Sequence, residues 1–257
     1  MLQFLLLFAA ISQSHAADIE PPGSAAEHEP IQYFERYKPT FFLLGKINTK
    51  VQISFKVQAF RELPLYFGYS QLMIWDLFKT SSPFRDLNYC PEFFYRLDLG
   101  GDGTIRKHLD LGIFEHESNG KAGSESRSWD HSYLRYTSTQ LLRSREFWWS
   151  LKLAVPYVMP DEASRDLPKR RGIWELQLGA SDLFHAMFEV NELILRLYGG
   201  GPTWMNPLQG GQELTYREKS TSRKLLLPLY LQVFHGYGEN LLDATEKRWG
   251  FRAGVGF

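Results

Sequence analysis

A histidine and a serine, His116 and Ser118, stand two residues apart in the segment FEHESNG, and an aspartate, Asp130, follows fourteen residues after the histidine. A serine hydroxyl beside an imidazole that is itself oriented by a carboxylate is the arrangement that activates a nucleophile for attack on an acyl carbon. In such a site Ser118 is the nucleophile, His116 the general base and then the acid, and Asp130 the group that fixes the imidazole tautomer. Ser132, in phase with Asp130, is the next candidate nucleophile. H-x-S alone is a weak signal, because serine is common and a histidine on a strand is more often a hydrogen-bonded neighbour than a base.

The elements that must hold these residues are strands. In KVQISFKVQAF, Val51, Ile53, Phe55, Val57 and Ala59 fall on one face, with Lys50, Gln52, Ser54, Lys56 and Gln58 on the other; this is the period-two signature of a strand with one apolar side. The pattern recurs in FFYRLDLG (93–100) and in FWWSLKLAVPY (147–157), and fits again around 174–180, 184–190 and 225–233. It predicts ten to twelve strands. On a strand, His116 and Ser118 project from the same face, and a hairpin brings Asp130 beside His116. One difficulty is visible before the histidine: Leu109, Leu111 and Ile113 are in phase with Glu115 and Glu117, so keeping the apolar side and the His/Ser side on one face requires a parity change, most simply a bulge near Gly112.

A soluble sandwich also alternates. Two features favour a membrane-spanning antiparallel barrel of about 12 strands, in an all-β chain. Aromatic residues crowd strand ends at Trp148, Trp149, Tyr157, Trp174 and Trp249, where a bilayer interface would sit. The last segment, RWGFRAGVGF, places Trp249, Phe251, Ala253, Val255 and Phe257 on one face, like the C-terminal assembly strand of bacterial outer-membrane barrels. Residues 1–16 read as a secretory signal peptide, residues 17–40 as a periplasmic tail and residues 41–257 as the barrel. Lys plus Arg and Asp plus Glu are 29 each, which removes the positive field of a nucleic-acid binder. The single cysteine, Cys90, cannot form an internal disulfide and reads as a structural thiol.

H-x-S-N-G followed by S-R-S-W and Asp130 (His116, Ser118, Asn119, Gly120, Ser126, Arg127, Ser128, Trp129), the block SSPFRDLNYCPEFF (81–94) and the segment GYGENLLDATEKRWGFRAGVGF (236–257) resemble the outer membrane phospholipase A family. The resemblance implies a twelve-stranded barrel in the Gram-negative outer membrane. It also implies hydrolysis of acyl ester bonds in glycerophospholipids and lysophospholipids, with Ca2+ as cofactor and a homodimer as the active form. By position, His116 and Ser118 match the family's catalytic pair, and Gly120 the oxyanion glycine. Ser126 and the Lys121 carbonyl match calcium ligands, Ser81 matches the ligand given by the second subunit, and Gln71 the glutamine at the dimer interface. There are two departures from the family pattern. Asp130 stands where the best-known relatives have Asn, and Gly123 stands where an acidic residue is expected to bind calcium in the monomer. Two other readings share the barrel: a lipid A deacylase, and a non-enzymatic pore or structural barrel whose lumen is lined by Lys56, Arg96, Asp98 and Lys152.

Overall fold

The computed structural model describes residues 34–143, 145–157, 162–183, 191–218 and 228–256. The first strands are β1 (Glu35–Arg36), β2 (Phe41–Gly45), β3 (Thr49–Phe60), β4 (Leu63–Trp75), β5 (Phe84–Gly101), β6 (Ile105–Ser118) and β7 (Ser128–Leu142). They are followed by β8 (Arg145–Pro156), β9 (Trp174–Ser181), β10 (Asn191–Tyr198), β11 (Gly211–Glu218), β12 (Leu229–Gly236) and β13 (Arg248–Gly256). Each strand from β2 onward pairs antiparallel with its neighbours in the chain, and β13 returns to pair with β2, so the sheet closes. The short β1 shares the β3 edge with β2. The result is a closed barrel of twelve staves, whose first stave is broken between Arg36 and Phe41.

At that break the chain turns inward: Tyr37 stacks on Phe94, its hydroxyl accepts from Arg135 at 2.9 Å, and Lys38 reaches Glu92 at 2.9 Å. The barrel therefore begins to be organised before residue 41. Residues 1–33, which carry the expected signal and most of the expected tail, lie outside the described residues, as does the segment 184–190 read as a strand and the terminal Phe257. Among the described residues the stave after β9 is β10, beginning at Asn191.

The two faces differ as a lipid-exposed barrel requires. Outward residues such as Phe93, Leu97, Leu111, Leu134, Trp149, Leu153 and Val155 are exposed large apolar groups, while Glu92, Asp110, Glu115, Glu192, Gln232 and Arg252 are buried inside. Apolar side chains stay outside because lipid, not water, meets them there, and charges go inside because they find partners there. Lys152 bonds Glu115, Arg96 forks onto Asp110 at 2.7 and 2.9 Å, and Arg252 bridges Glu239 and Asn48. Closure leaves the sheet without a free edge strand, the way strands cross hydrocarbon. No helix among the described residues is long and apolar enough to cross a membrane. Trp148 departs from the expected aromatic girdle: it points inward and donates to Glu192 at 2.8 Å, whereas Trp149 faces out. Alternation allows only one of two adjacent tryptophans on the outer face.

The expected bulge is present. On β6, Gly112 pairs with Tyr133 but Glu115 pairs with His131, so three steps on β6 meet two on β7. Ile113 (57% exposed) and Phe114 (38%) both point outward, after which Glu115 (5%) and Glu117 (8%) are buried. Glycine is required at the turn of phase because a Cβ at Gly112 would meet the Tyr133 ring at 2.2 Å. Gly112→Ala is expected to destabilise the barrel by about 1–3 kcal/mol through overpacking, read as a lower urea midpoint in detergent. An unchanged midpoint would show that Tyr133 has room to move.

Candidate active site

The bulge delivers His116 and Ser118 to the outer face, and the β6–β7 register sets His116 directly opposite Asp130 and Ser118 opposite Ser128. His116 Nδ1 lies 2.5 Å from Asp130 Oδ1. A bond at that atom leaves Nε2 as the nitrogen free to work on a neighbouring hydroxyl. The Phe114 ring lies parallel to the imidazole at 6.1 Å, and Tyr157 continues the stack behind Phe114 at 6.2 Å. The histidine is thus oriented by a carboxylate on one side and walled by aromatics on another.

Ser118 ends β6, and the chain then turns through a loop built around Asn119. The buried Asn119 side chain donates to Glu125 O at 2.8 Å and accepts from the backbone N–H of Arg127 at 3.0 Å and of Lys121 at 3.3 Å. Gly120 takes φ = 63° and directs its N–H to Ser118 Oγ at 3.3 Å. A side chain there is disfavoured twice, by that dihedral and by the Tyr89 ring, 3.1 Å from the position of a Cβ. A backbone donor is therefore held next to the serine oxygen by a loop whose shape needs glycine.

The same loop carries Lys121 and Ser126. A short 3-10 turn, Gly123–Glu125, ends at Ser126, and Arg127 donates to the carbonyls of Ser124 and Ser126 at 2.7 Å each. Glu125 is fully exposed; its hydrogen bond from Lys121, 2.9 Å between charged atoms, holds its carboxyl below the usual range. Gly123, where an acid is expected by resemblance, is exposed with φ = 64°. Ser132 is not free in the same sense as Ser118: its hydroxyl donates to the carbonyl of Ile113 in the bulge at 2.8 Å and meets Tyr157 OH.

Ser81 and Gln71 belong to other elements, the β4–β5 turn and β4, at the same end of the barrel as this loop. Ser81 is an exposed member of the β4–β5 turn, where Ser81 and Ser82 both take left-handed backbone, φ = 64° and 42°. Left-handed conformations at two successive non-glycine residues are costly; Trp75 Nε1 donating to Ser82 O at 2.7 Å and Ser82 Oγ donating to Leu77 O at 2.8 Å hold the turn. Gln71 faces outward on β4 and accepts from Tyr69 OH at 3.3 Å. Gln71 is two strands from Ser118 in the register, across Tyr89, while Gly120 touches Ser118 through its N–H and Lys121 and Ser126 belong to the same loop as Gly120. Cys90 is buried in the lumen, its thiol 3.4 Å from Glu115, as a structural thiol would be.

Sequence pattern alone did not point to Tyr89, which pairs with Ser118 across β5–β6 and flanks Gly120, nor to Tyr157, whose N–H donates to Asp130 O at 2.8 Å. For Tyr157 a signal existed, since it ends the outward row of β8.

The family model described as phospholipase A1 matches residues 14–257. The phospholipase A1 of Salmonella typhimurium is 31% identical over 194 residues, 74% of this chain and 60% of the relative. A putative phospholipase A1 of Neisseria meningitidis is 28% identical over 227 residues, 82% of this chain and 55% of the relative. The chain thus spans 60% or less of the length of these two relatives. Among solved structures, outer membrane phospholipase A from Escherichia coli superimposes with a TM-score of 0.74 at 23% identity, over 90% of this chain and 94% of that one. The Salmonella typhi outer membrane phospholipase dimer with bound calcium gives 0.73 at the same identity and coverage. The barrel is shared with these structures, and by the extent of the sequence match the chain belongs to the phospholipase A1 family.

Proposed function

We propose that this protein is an outer-membrane phospholipase that hydrolyses acyl ester bonds of glycerophospholipids and lysophospholipids from the outer face of its barrel, with a Ser/His/Asp site. The observation that carries the reading is the 2.5 Å contact of His116 Nδ1 with Asp130 on a lipid-facing surface, with Ser118 on the same face two residues on. Polar groups on that surface are costly and are retained for a purpose. Ser118 Oγ attacks the ester carbonyl as His116 Nε2 takes its proton, and Asp130 steadies the imidazolium. The oxyanion accepts from the Gly120 N–H, whose long bond to Ser118 is easily given up. Collapse expels the glyceryl oxygen, which takes the proton from His116; water then attacks the acyl-serine, with His116 again as base, and releases the fatty acid.

Calcium fits the oxygen donors of the 119–127 loop. Ser126 offers a hydroxyl and Lys121 a carbonyl, and Glu125, ionised and within the loop, offers a carboxylate in the absence of one at residue 123. Calcium prefers such hard oxygens and takes six to eight of them, so one subunit offers few, and Ser81 of a second copy would complete the set in a homodimer. When bound, calcium adds positive charge near the developing oxyanion. Gln71, on the outer face of β4, would exchange its Tyr69 partner for its symmetry mate when two barrels meet.

The test is release of free fatty acid from phospholipid, and in parallel from lipid A, in detergent micelles by the purified protein, with calcium and with a chelator. The reading expects calcium-dependent release; no release under either condition would favour the non-enzymatic barrel, and release only from lipid A the deacylase. Ser126→Ala and Ser81→Ala are each expected to raise the calcium concentration for half-maximal activity several-fold. Gln71→Leu is expected to weaken calcium-dependent dimerisation in sedimentation. A wild type that is monomeric while fully active would contradict the dimer.

A further inference from the structure

The catalytic segment of β6 pairs residue for residue with β7 from Glu115 to Ser118 but is held unevenly on its other edge and at its two ends. Below it the ladder to β7 is broken by the bulge between Gly112 and Glu115. On the β5 side, Pro91 lies opposite His116 and has no N–H to give, and the pairing steps from Tyr89↔Ser118 directly to Glu92↔Glu115. Above it the strand ends at Ser118. His116 and Ser118, which must stay placed to about half an ångström, therefore lie between a bulge and a strand end, with a gap in the β5 pairing opposite His116.

The inner side of the same segment is gripped by the β8–β9 loop. Glu117, the residue between His116 and Ser118, points inward, and Arg171 Nη1 donates to its carboxylate at 2.5 Å. Arg171 closes a single-turn helix, Pro168–Arg171, which stops at Gly172 with φ = 60°; there the backbone is pressed so closely on Gly199 and Trp204 that a Cβ would come within 2.7 Å of both. The arginine is thus mounted on a tightly packed base. One strand over, the N–H of Ser128 donates to Ser164 Oγ at 2.8 Å, and Trp129, the inward neighbour of Asp130, packs with Leu167, Leu241 and Ala244. Tyr157, at the start of the loop, closes on Asp130 O.

We infer that residues 164–172 of the β8–β9 connection form an internal clasp for the triad, and that Arg171, through Glu117, is a positioning residue that holds His116 and Ser118 in attacking geometry from inside the barrel. The inference rests on the hydrolase reading above. Fixing Glu117 fixes the twist of the two peptide units that join His116 to Ser118, because neighbouring side chains on a strand share those units and point to opposite faces. The contact is lumenal, so it touches neither lipid nor calcium donors. Its loss should therefore lower the rate of the chemical step and leave binding alone. A misplacement of about 1 Å at a reacting group costs about 100-fold in rate, which sets the scale.

The experiment compares wild type with Arg171→Leu, Arg171→Lys, Glu117→Gln and the double variant, as folded barrels in detergent with calcium. It reads kcat and KM on phospholipid micelles, the calcium concentration for half-maximal rate, and the rate at which an alkylsulfonyl fluoride modifies Ser118. The expected result is a kcat about 10- to 100-fold lower for Arg171→Leu, with KM and calcium dependence within twofold of wild type. Serine modification should slow in parallel, Arg171→Lys should recover most of the loss, and the double variant should be no worse than the worse single one. Equal kcat and equal modification rates in Arg171→Leu and wild type would overturn the clasp. So would a loss that Lys fails to rescue, or one accounted for entirely by a smaller folded fraction. Failure of the hydrolase reading is distinct: wild type itself would show neither modification at Ser118 nor release of fatty acid.

Discussion

Ser118→Ala is expected to abolish fatty acid release while the barrel folds as wild type. The substitution removes one oxygen from an outer-face position at the end of β6, where the bond lost among the described residues is the 3.3 Å one from Gly120 N–H. Nothing in the lumen network is touched. Knockouts of the nucleophile in hydrolases of this logic cost on the order of 10⁶ in kcat, so residual activity should fall to the assay floor. Retention of a tenth of the wild-type rate would place the nucleophile elsewhere. Ser132 is the next outward serine, but its hydroxyl is committed to the Ile113 carbonyl and to Tyr157, and Ser132→Ala is expected to act through the bulge rather than through attack.

The second large effect is graded along the imidazole. His116→Ala should approach the loss of Ser118→Ala, because proton transfer in both halves of the reaction passes through Nε2. Asp130→Ala removes the 2.5 Å partner of Nδ1 and frees the ring to turn or to adopt the other tautomer; losing the correct tautomer costs about 10⁴-fold in a triad of this type. Asp130→Asn should be milder than His116→Ala, since the amide oxygen still accepts from Nδ1–H. Rates measured at saturating calcium check this order. Equal rates for Asp130→Ala and wild type would reduce Asp130 to a polar neighbour on the strand.

Much of this arrangement was legible in the residues, because a strand has only two faces. The row Phe93 to Leu99 faces outward with Phe93, Leu97 and Leu99 exposed, whereas Val51, at the head of the row on β3, is buried. The conflict of phase between Ile113 and Glu115 required an extra residue near Gly112, which the register bears out. The pairing of His116 with Asp130 likewise follows from a hairpin of that spacing. Alternation is silent about what enters the lumen. Tyr37 and Lys38 lie in a stretch without sustained period, yet they thread inward to meet Arg135 and Glu92. Trp148 looked interfacial by type and is lumenal by phase. The β8–β9 loop could not be placed because its partners, Glu117 and Trp129, are far off in sequence. A signal was present all the same: two glutamates turned inward at 115 and 117 demand cations, and KRR at 169–171 supplies one.

The central claim is that an outward-facing Ser118, activated by His116, is the acylated group. Its most direct test is mass spectrometric mapping of the protein after exposure to an alkylsulfonyl fluoride in calcium-containing micelles. The account predicts one adduct, on the peptide that contains Ser118, formed in step with loss of activity, and no adduct in His116→Ala. An adduct on Ser132 or on another residue, or full inactivation with Ser118 unmodified, would contradict it.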